Sequence, residues 1–227
     1  MIETIELLKR FEPKEVTAIS ADPQVHAAHF NPRGDLVAAG GYDGRVRLWD
    51  VSEEQPRELD SLTGHDAWVQ AIRFSPDGSF LFSSDSWGQL RAWDMRGEQP
   101  QFAWNLKDAH DGWVRDVDVS PDGKRIVTCG RDRAVRVWAS IDGAFLYESR
   151  HHNFDVYCSR FHASGEWIIT GDDRGVLKVS KASTGDSIRE FDASVLYLEH
   201  RLQDVGGVRT LSFNRDGSVM AVGGTTP

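Results

Sequence analysis

Three side chains of the types found in hydrolase active sites occur close together in the chain. They are a hydroxyl, an imidazole and a carboxylate, supplied by Thr128, His110 and Asp132. In an acyl-transfer enzyme these groups would act as nucleophile, general base and orienting carboxylate. The same groups can also satisfy one another's hydrogen bonds inside a packed protein. The residue types alone leave both interpretations open.

A second group of side chains could bind a metal ion. His151, His152 and Asp155 offer nitrogen and oxygen ligands, and Asp172 and Asp173 follow on the facing turn. Adjacent residues of a strand point to opposite faces, so the two histidines are poorly placed to share one ion. The pattern therefore favours a solvated loop with one structural histidine, and we expect no metal.

Cysteine chemistry and cofactor motifs are both missing from the sequence. Cys129 and Cys158 form neither a Cys-x-x-Cys pair nor a disulfide framework, which favours small core residues. The chain contains no GxxxxGK(S/T) phosphate loop and no strand-to-helix GxGxxG segment. We expect no cofactor.

The charge balance disfavours a nucleic-acid partner. The 227 residues include 26 Lys and Arg against 35 Asp and Glu, for a formal net charge of −9. Binding to phosphates needs clustered basic residues. One repeated position is basic, two residues before each strand-end Trp or its substitute, in Arg47, Arg91, Arg136 and Lys178. Such side chains commonly lie along a neighbouring aromatic with the charge in water, so no nucleic acid is expected.

The sequence lacks the features of a membrane or exported protein. No run of about 18 uncharged apolar residues occurs, and residues 1–15 carry acids where a signal peptide needs a basic start. We expect a soluble chain with no membrane partner, and the cytoplasm is the favoured compartment.

The chain is built from repeats, which must position these side chains. Similar segments occur at residues 31–50, 75–94, 120–139, 162–180 and, in shortened form, 214–224. Each segment has a turn glycine, and these glycines are spaced 44, 45, 42 and 52 residues apart. A period near 44 is typical of propeller blades. Each unit contains four short runs of β-forming residues separated by turns, with apolar residues on both faces, so the units must stack.

Four motifs in register give the repeats a family resemblance. Gly64 and His65 open a unit, a Ser-Pro-Asp-Gly turn follows, an Asp occurs in the second turn, and Leu-Trp-Asp closes the third strand. This combination resembles the WD-repeat β-propeller family from about residue 12 onward, and some features are similar to long bacterial WD-repeat proteins. The resemblance implies an all-β propeller of four-stranded antiparallel blades, with four complete repeats and a partial fifth. The expected single domain, 1–227, has blades at about 24–62, 66–107, 111–150, 153–192 and 206–224.

The resemblance also assigns the first group of side chains to a buried hydrogen-bonded tetrad of His, Ser or Thr, Asp and Trp. The third blade has all four members: His110, Thr128, Asp132 and Trp138. The second blade has three of them, with Trp87 at the Asp position: His65, Ser83 and Trp93. This assignment favours a structural role over a catalytic one.

The first and fourth blades have incomplete tetrads by the same assignment. The first keeps two members, Asp43 and Trp49, with Ala21 and Ala39 at the His and Ser positions. The fourth keeps His152 and Thr170, with Ser180 for the Trp and Arg174 at the Asp position beside Asp173. Uneven blade stability is expected.

The resemblance places two sets of loops on a face where WD-repeat propellers often bind partners. Aromatics lead into the first strands at Trp68, Trp113 and Phe154, with acids nearby at Asp66 and Asp111. The second turns add Tyr42, Trp87, Arg131 and Asp173. Rigid aromatics ringed by charges are typical of protein-recognition surfaces, although they could instead cover the blades as lids. Trp87 is the strongest single candidate for partner contact.

The expected function is a noncatalytic scaffold that binds a protein or peptide through this face. The alternatives are a regulatory propeller module of a larger protein and, less favoured, a propeller hydrolase or lyase. Residues 4–11 are expected to form a clasp strand, and residues 206–224 only part of a blade. We therefore expect a truncated chain forming an open arc that associates with itself through exposed blade edges.

Overall fold

The computed structural model describes residues 18–19, 24–198 and 205–224, and this part of the chain is almost entirely β-strand. Its one helical element is a single 3₁₀ turn at Ser194–Leu196. Four-stranded antiparallel sheets follow one another along the chain. The predicted β-propeller architecture is confirmed.

The strands of each sheet occur in chain order, from the innermost to the outermost. The first two sheets contain β1 (Val25–Phe30), β2 (Leu36–Gly41), β3 (Val46–Asp50) and β4 (Arg57–Leu62), then β5 (Val69–Phe74), β6 (Phe80–Asp85), β7 (Leu90–Asp94) and β8 (Gln101–Leu106). The next two contain β9 (Val114–Val119), β10 (Arg125–Gly130), β11 (Val135–Ala139) and β12 (Phe145–Ser149), then β13 (Val156–Phe161), β14 (Trp167–Asp172), β15 (Val176–Lys181) and β16 (Ser187–Asp192).

Two short pairings complete the described strands. β17 (Tyr197–Leu198) pairs with β18 (Val205–Gly206), and β19 (Val208–Phe213) pairs with β20 (Met220–Gly224). β19 is equivalent to the first strand of the other sheets, so this last pair is a fifth blade with two described strands.

The turn between the first two strands of a blade is fixed by its own side chains. In the second blade, Asp77 accepts hydrogen bonds from the Ser75 hydroxyl at 2.6 Å and the Ser79 N–H at 3.0 Å. The Gly78 N–H donates to the Ser75 carbonyl at 2.9 Å, with Gly78 at a φ of 74°. A positive φ is easily adopted by glycine, which explains the residue at this position.

Apolar clusters between neighbouring sheets form the core. The first and second sheets share a cluster that includes Leu48 and Phe74, and the second and third share one that includes Phe82 and Val117. Equivalent clusters join the third to the fourth sheet and the fourth to the fifth. Burying a side chain of this size contributes about 1.5–3 kcal/mol. Each sheet therefore depends on its neighbours for stability.

The first strand of the first blade differs from its equivalents in burial. Phe30 at the end of β1 is 58% exposed, whereas Phe74 at the same position of β5 is 4% exposed. Val25 is exposed as well, whereas Val69 is fully buried. The face of β1 that corresponds to a blade-to-blade contact is thus largely uncovered. The predicted clasp strand at 4–11 lies outside the described residues.

Candidate functional site

The third blade contains a chain of buried hydrogen bonds that links two strands to a loop. His110 Nδ1 lies 2.8 Å from Asp132 Oδ1, and His110 Nε2 lies 2.8 Å from Thr128 Oγ1. The Trp138 indole N–H donates to the same Thr128 oxygen at 2.9 Å. Thr128 has no exposed surface, and its oxygen is already engaged by Trp138. A substrate carbonyl cannot reach this hydroxyl, so the arrangement is suited to holding the loop rather than to attack.

Burial and hydrogen bonding set the ionisation of this chain. Burial lowers the pKa of His110, which favours the neutral imidazole. Burial alone would raise the pKa of Asp132, but hydrogen bonds from His110 and Arg136 outweigh it and hold that pKa far below its usual range. Arg136 donates to Asp132 at 2.6 Å, so a carboxylate stabilised by two partners faces a neutral imidazole.

The second blade has a complete set of these hydrogen bonds, contrary to the sequence assignment. Asp85, at the end of β6, lies 3.0 Å from His65 Nδ1, and Ser83 Oγ lies 2.7 Å from Nε2. The Trp93 indole N–H donates to Ser83 at 3.1 Å. Trp87 was assigned to the Asp position, but Asp85 supplies the carboxylate from two residues earlier.

The fourth blade corrects the assignment of Arg174 in the same way. Asp172 Oδ2 lies 2.9 Å from His152 Nδ1, and Thr170 Oγ1 lies 2.7 Å from Nε2. Asp172 also accepts the N–H groups of Arg174 at 3.0 Å and Val176 at 2.9 Å, which closes the turn. A carboxylate at the end of the second strand can therefore serve the histidine and the turn together. The second and fourth blades share one sequence signal, which is an Asp two residues after the buried Ser or Thr.

The first blade lacks this set within the described residues. Asp43 instead pairs with Arg47, with a shortest distance of 2.7 Å, and Ala39 is buried at the Ser or Thr position. Trp49 is buried as in the other blades. Ala21, predicted at the His position, lies outside the described residues.

The recurring basic residues hold the loop that carries the histidine. Arg136 donates to the Ala109 carbonyl at 3.1 Å, and Lys178 donates to the His151 carbonyl at 2.7 Å. Arg91 donates to the Gly64 carbonyl in the second blade. Each of these carbonyls belongs to the residue before the buried histidine. The basic residues are thus paired within their own blades.

We call the face formed by the loops before the first strands and by the second turns the loop face. Four aromatic residues line one cavity of about 340 Å³ on it: Tyr42, Trp68, Trp87 and Trp113. The Tyr42 and Trp68 ring centroids lie 4.6 Å apart, and those of Trp68 and Trp113 lie 5.9 Å apart, both edge to face. Trp87 is 68% exposed, so most of this indole is free for contact. Exposed aromatics gathered around a concave surface are suited to receiving an apolar or aromatic group.

Four segments of the chain match the family model described as "WD domain, G-beta repeat". They are residues 12–50, 56–94, 103–139 and 143–179, which together exceed half of the chain.

The chain belongs to the WD-repeat family.

Curated relatives of this WD-repeat chain include the proteins named angio-associated migratory cell protein from Homo sapiens, Pongo abelii and Canis lupus familiaris. Each is 36% identical to the chain over 70 residues. The match covers 31% of this chain and 16% of each relative. The matched segment is thus a small part of those proteins.

Asp66 also lines the aromatic cavity, whereas the other predicted residues of the WD-repeat face lie apart from it. Arg131 and Asp111 line a separate depression of about 650 Å³. The Phe154 ring contacts the Arg174 guanidinium, whose carbon lies 4.8 Å from the ring centre. Burial, with the charge of Asp155 adding to it, raises the pKa of Asp173. Apart from Asp66, none of these residues lines the aromatic cavity.

A buried charge network between blades was missed in the sequence. Asp116 and Asp118 of β9 accept the backbone N–H groups of Ser159 at 3.0 Å and Phe161 at 2.8 Å on the next blade. Asp118 also pairs with Arg73 at 3.2 Å on the preceding blade. The signal was present, because two acids within a short buried strand need partners.

The residues considered as metal ligands and the two cysteines have other partners or are buried. His152 is engaged by Thr170 and Asp172, and His151 Nε2 lies 3.0 Å from the Gly185 carbonyl. Across the described ranges, no group of three or more His, Cys, Asp or Glu is arranged to hold a metal ion. Both cysteines are buried and unpaired, and burial raises their pKa values. Among the residues that the structure describes, no helix is long and apolar enough to cross a membrane.

Proposed function

We propose that this chain is a noncatalytic WD-repeat scaffold that binds a peptide or protein segment through the aromatic cavity of its loop face. The observation that carries the proposal is the exposure of Trp87 at the rim of a cavity with three further aromatic residues. Partly exposed tryptophans in a concave surface are the usual anchors of protein interfaces.

The contacts around the cavity support binding rather than a simple lid. Tyr42 and Trp68 pack against each other, as lids would, but Trp87 makes no ring contact with another described aromatic within the cavity. Its backbone N–H donates to Asp85 at 2.9 Å, which fixes the turn and leaves the indole unused. Because the turn is already fixed, the backbone that carries this indole loses little conformational freedom on binding.

The noncatalytic part of the proposal rests on the buried hydrogen bonds. The hydroxyl most similar to a nucleophile, Thr128, is inaccessible and accepts an indole N–H. Turnover of ester or amide substrates that Thr128→Ala abolishes, with the fold retained, would contradict this assignment.

Selection of displayed random peptides on the immobilised chain tests the binding proposal. Peptides enriched on the wild type should be lost on Trp87→Ala and Trp68→Ala. Trp167→Ala is the matched control, because Trp167 is 41% exposed and Trp68 is 40% exposed, but Trp167 begins β14 at the opposite end of the strands. Enrichment that survives both cavity substitutions would overturn the proposal.

A second proposal concerns self-association, and the uncovered face of β1 favours it. Phe30 and Val25 occupy positions that are buried by a neighbouring blade elsewhere in the chain. We propose that this face pairs with another copy of the chain, repeating the contact already made between successive blades.

A further inference from the structure

The first strands of the blades line the central channel of the propeller. Two guanidinium groups contact one tyrosine at the end of this channel nearest the loop face. The guanidinium carbons of Arg209 and Arg115 lie 3.8 and 4.5 Å from the centre of the Tyr157 ring. Each of these three residues, like Gln70, is the second residue of the first strand of its blade. Gln70 lies in β5, Arg115 in β9, Tyr157 in β13 and Arg209 in β19. Two like charges are thus brought together at one level of the channel.

Two side chains of this group have donors without acceptors within the described residues. The Arg115 Nε and Gln70 Nε2 groups are buried without a hydrogen-bond partner. Arg209 is only partly buried, and its positive charge acts on the neighbouring Asp173. The nearest carboxylate of Arg115 belongs to Asp155 at 3.8 Å, which is too far for a hydrogen bond. Buried donors without acceptors are costly, so the site favours a ligand that brings oxygen atoms.

The local charges select the kind of anion. Burial lowers the pKa of Arg115, and Tyr157 and Asp155 raise it in part. The positive charges of Arg209 and Arg131 lower it, so a negative charge placed between Arg115 and Arg209 is favoured. Asp155 and Asp173 lie close by and offset part of that positive charge. A singly charged carboxylate is therefore better matched than a doubly charged phosphate.

The site adjoins the aromatic cavity through one side chain. The Arg115 guanidinium carbon lies 4.2 Å from the centre of the Trp113 ring, and Trp113 lines the cavity. A peptide in the cavity would therefore extend to the Arg115 guanidinium, beyond which Arg209 shares the Tyr157 ring.

We propose that Arg115, Arg209 and the Gln70 amide bind the side-chain carboxylate of a glutamate or aspartate in the peptide that occupies the aromatic cavity. This inference rests on the proposed function and names the chemistry of its partner. The partner segment combines an aromatic or apolar residue with an acidic residue a short distance along the chain.

The test uses peptides selected by display on the full chain. Selected sequences should share an acidic residue at a fixed offset from an apolar one. Replacing that acid by its amide should weaken binding to the wild type about tenfold or more, as expected for a hydrogen-bonded charge. The same replacement should weaken binding to Arg209→Gln by a smaller factor, because one of the two cationic partners of the acid is gone.

Two further variants keep the test interpretable. Arg189→Gln is the matched control, because this guanidinium also contacts a ring, Phe191 at 5.7 Å, but on the exposed outer strand β16. It should leave the acid preference intact. Gln70→Leu removes a donor that has no partner, so it should fold and still reduce the preference if Arg209→Gln is unstable.

Failure of the inference and failure of the proposed function give different results. If selected peptides are lost on Trp87→Ala but show no acid preference, the carboxylate site is wrong and the aromatic cavity still binds. If the wild type enriches no peptide, the proposed function itself fails. Tighter binding when phosphoserine replaces the acid would assign the site to phosphate and overturn the choice of a carboxylate.

Discussion

The carboxylate of Asp85 serves the buried imidazole of His65 and two backbone N–H groups of its turn. We predict that Asp85→Ala lowers the free energy of unfolding by about 1–3 kcal/mol, since it leaves a buried partner unsatisfied. Trp87→Ala should change it by no more than about 0.5 kcal/mol, because the indole is exposed. Urea denaturation of both variants checks the pair. An equal loss of stability in the two variants would show that Trp87 has a structural role.

His29 predicts a pH dependence of stability. Its Nε2 accepts an N–H from Arg73 at 2.7 Å, and burial, reinforced by the Arg73 charge, lowers its pKa to about 4. The unfolded chain takes up this proton near pH 6.5, so it binds more protons than the folded chain between about pH 6.5 and 4. The free energy of unfolding should therefore fall as the pH is lowered through that window.

The variant His29→Gln isolates this contribution. It keeps an acceptor for Arg73 but cannot titrate, so stability should fall less steeply between pH 6.5 and 4. His151→Gln controls for the loss of an imidazole elsewhere. Identical slopes for wild type and His29→Gln, measured by denaturation at several pH values, would contradict the assignment.

Residue types identified the histidines and hydroxyls of the buried chains but not every acid. Asp132 was assigned by its place in the turn, whereas Asp85 and Asp172 reach the same histidine atom from the end of the preceding strand. A motif that expects the Asp at one sequence position misses these two residues, because an Asp carboxylate can reach the histidine Nδ1 from either of two backbone positions.

At the scale of elements, the second turn of the third blade is strained relative to its equivalents. Arg133 has a φ of 65°, where the other blades have Gly44, Gly88 and Gly175. We predict that Arg133→Gly raises the free energy of unfolding by about 0.5–1 kcal/mol, because relief of the left-handed conformation exceeds the added freedom of the unfolded chain.

Gly88→Ala is the opposing control for this turn. A Cβ at Gly88 would lie 2.1 Å from the His110 carbonyl oxygen, so that variant should be strongly destabilised. Thermal denaturation compares the two. A loss of stability in Arg133→Gly would show that the arginine side chain supports the turn.

Strand order and turn chemistry followed from the sequence because each blade repeats the same local signals. The links between blades did not, since Asp116 and Asp118 act through strands that lie more than 40 residues away in the chain. Such partners become visible only when the blades are stacked.

At the scale of the whole molecule, the uncovered face of β1 predicts association. The chain should show a mass that rises with concentration in sedimentation experiments, because an exposed apolar face favours pairing. Phe30→Asp should suppress the rise. Phe102→Asp is the matched control, since Phe102 is 56% exposed on the outer strand β8 and Phe30 is 58% exposed. A constant monomer mass for the wild type would contradict the prediction.

The aromatic cavity illustrates how far a functional site could be predicted. Tyr42, Trp68, Trp87 and Trp113 were identified from repeat positions, and they line one cavity. Arg131, Phe154 and Asp173 occupy similar repeat positions but lie elsewhere, because equivalent positions on successive blades are spread around the channel axis. The donors of Arg115 and Gln70 that lack acceptors could not be predicted from the sequence, because their burial depends on how the strands pack.

The affinity of Trp87→Ala for a selected peptide decides whether the aromatic cavity is the binding site. We predict a loss of at least about 2 kcal/mol of binding free energy, as expected for an aromatic anchor. The free energy of unfolding should stay within about 0.5 kcal/mol of the wild type. Unchanged affinity, with Trp167→Ala binding equally well, would show that the cavity does not bind the peptide.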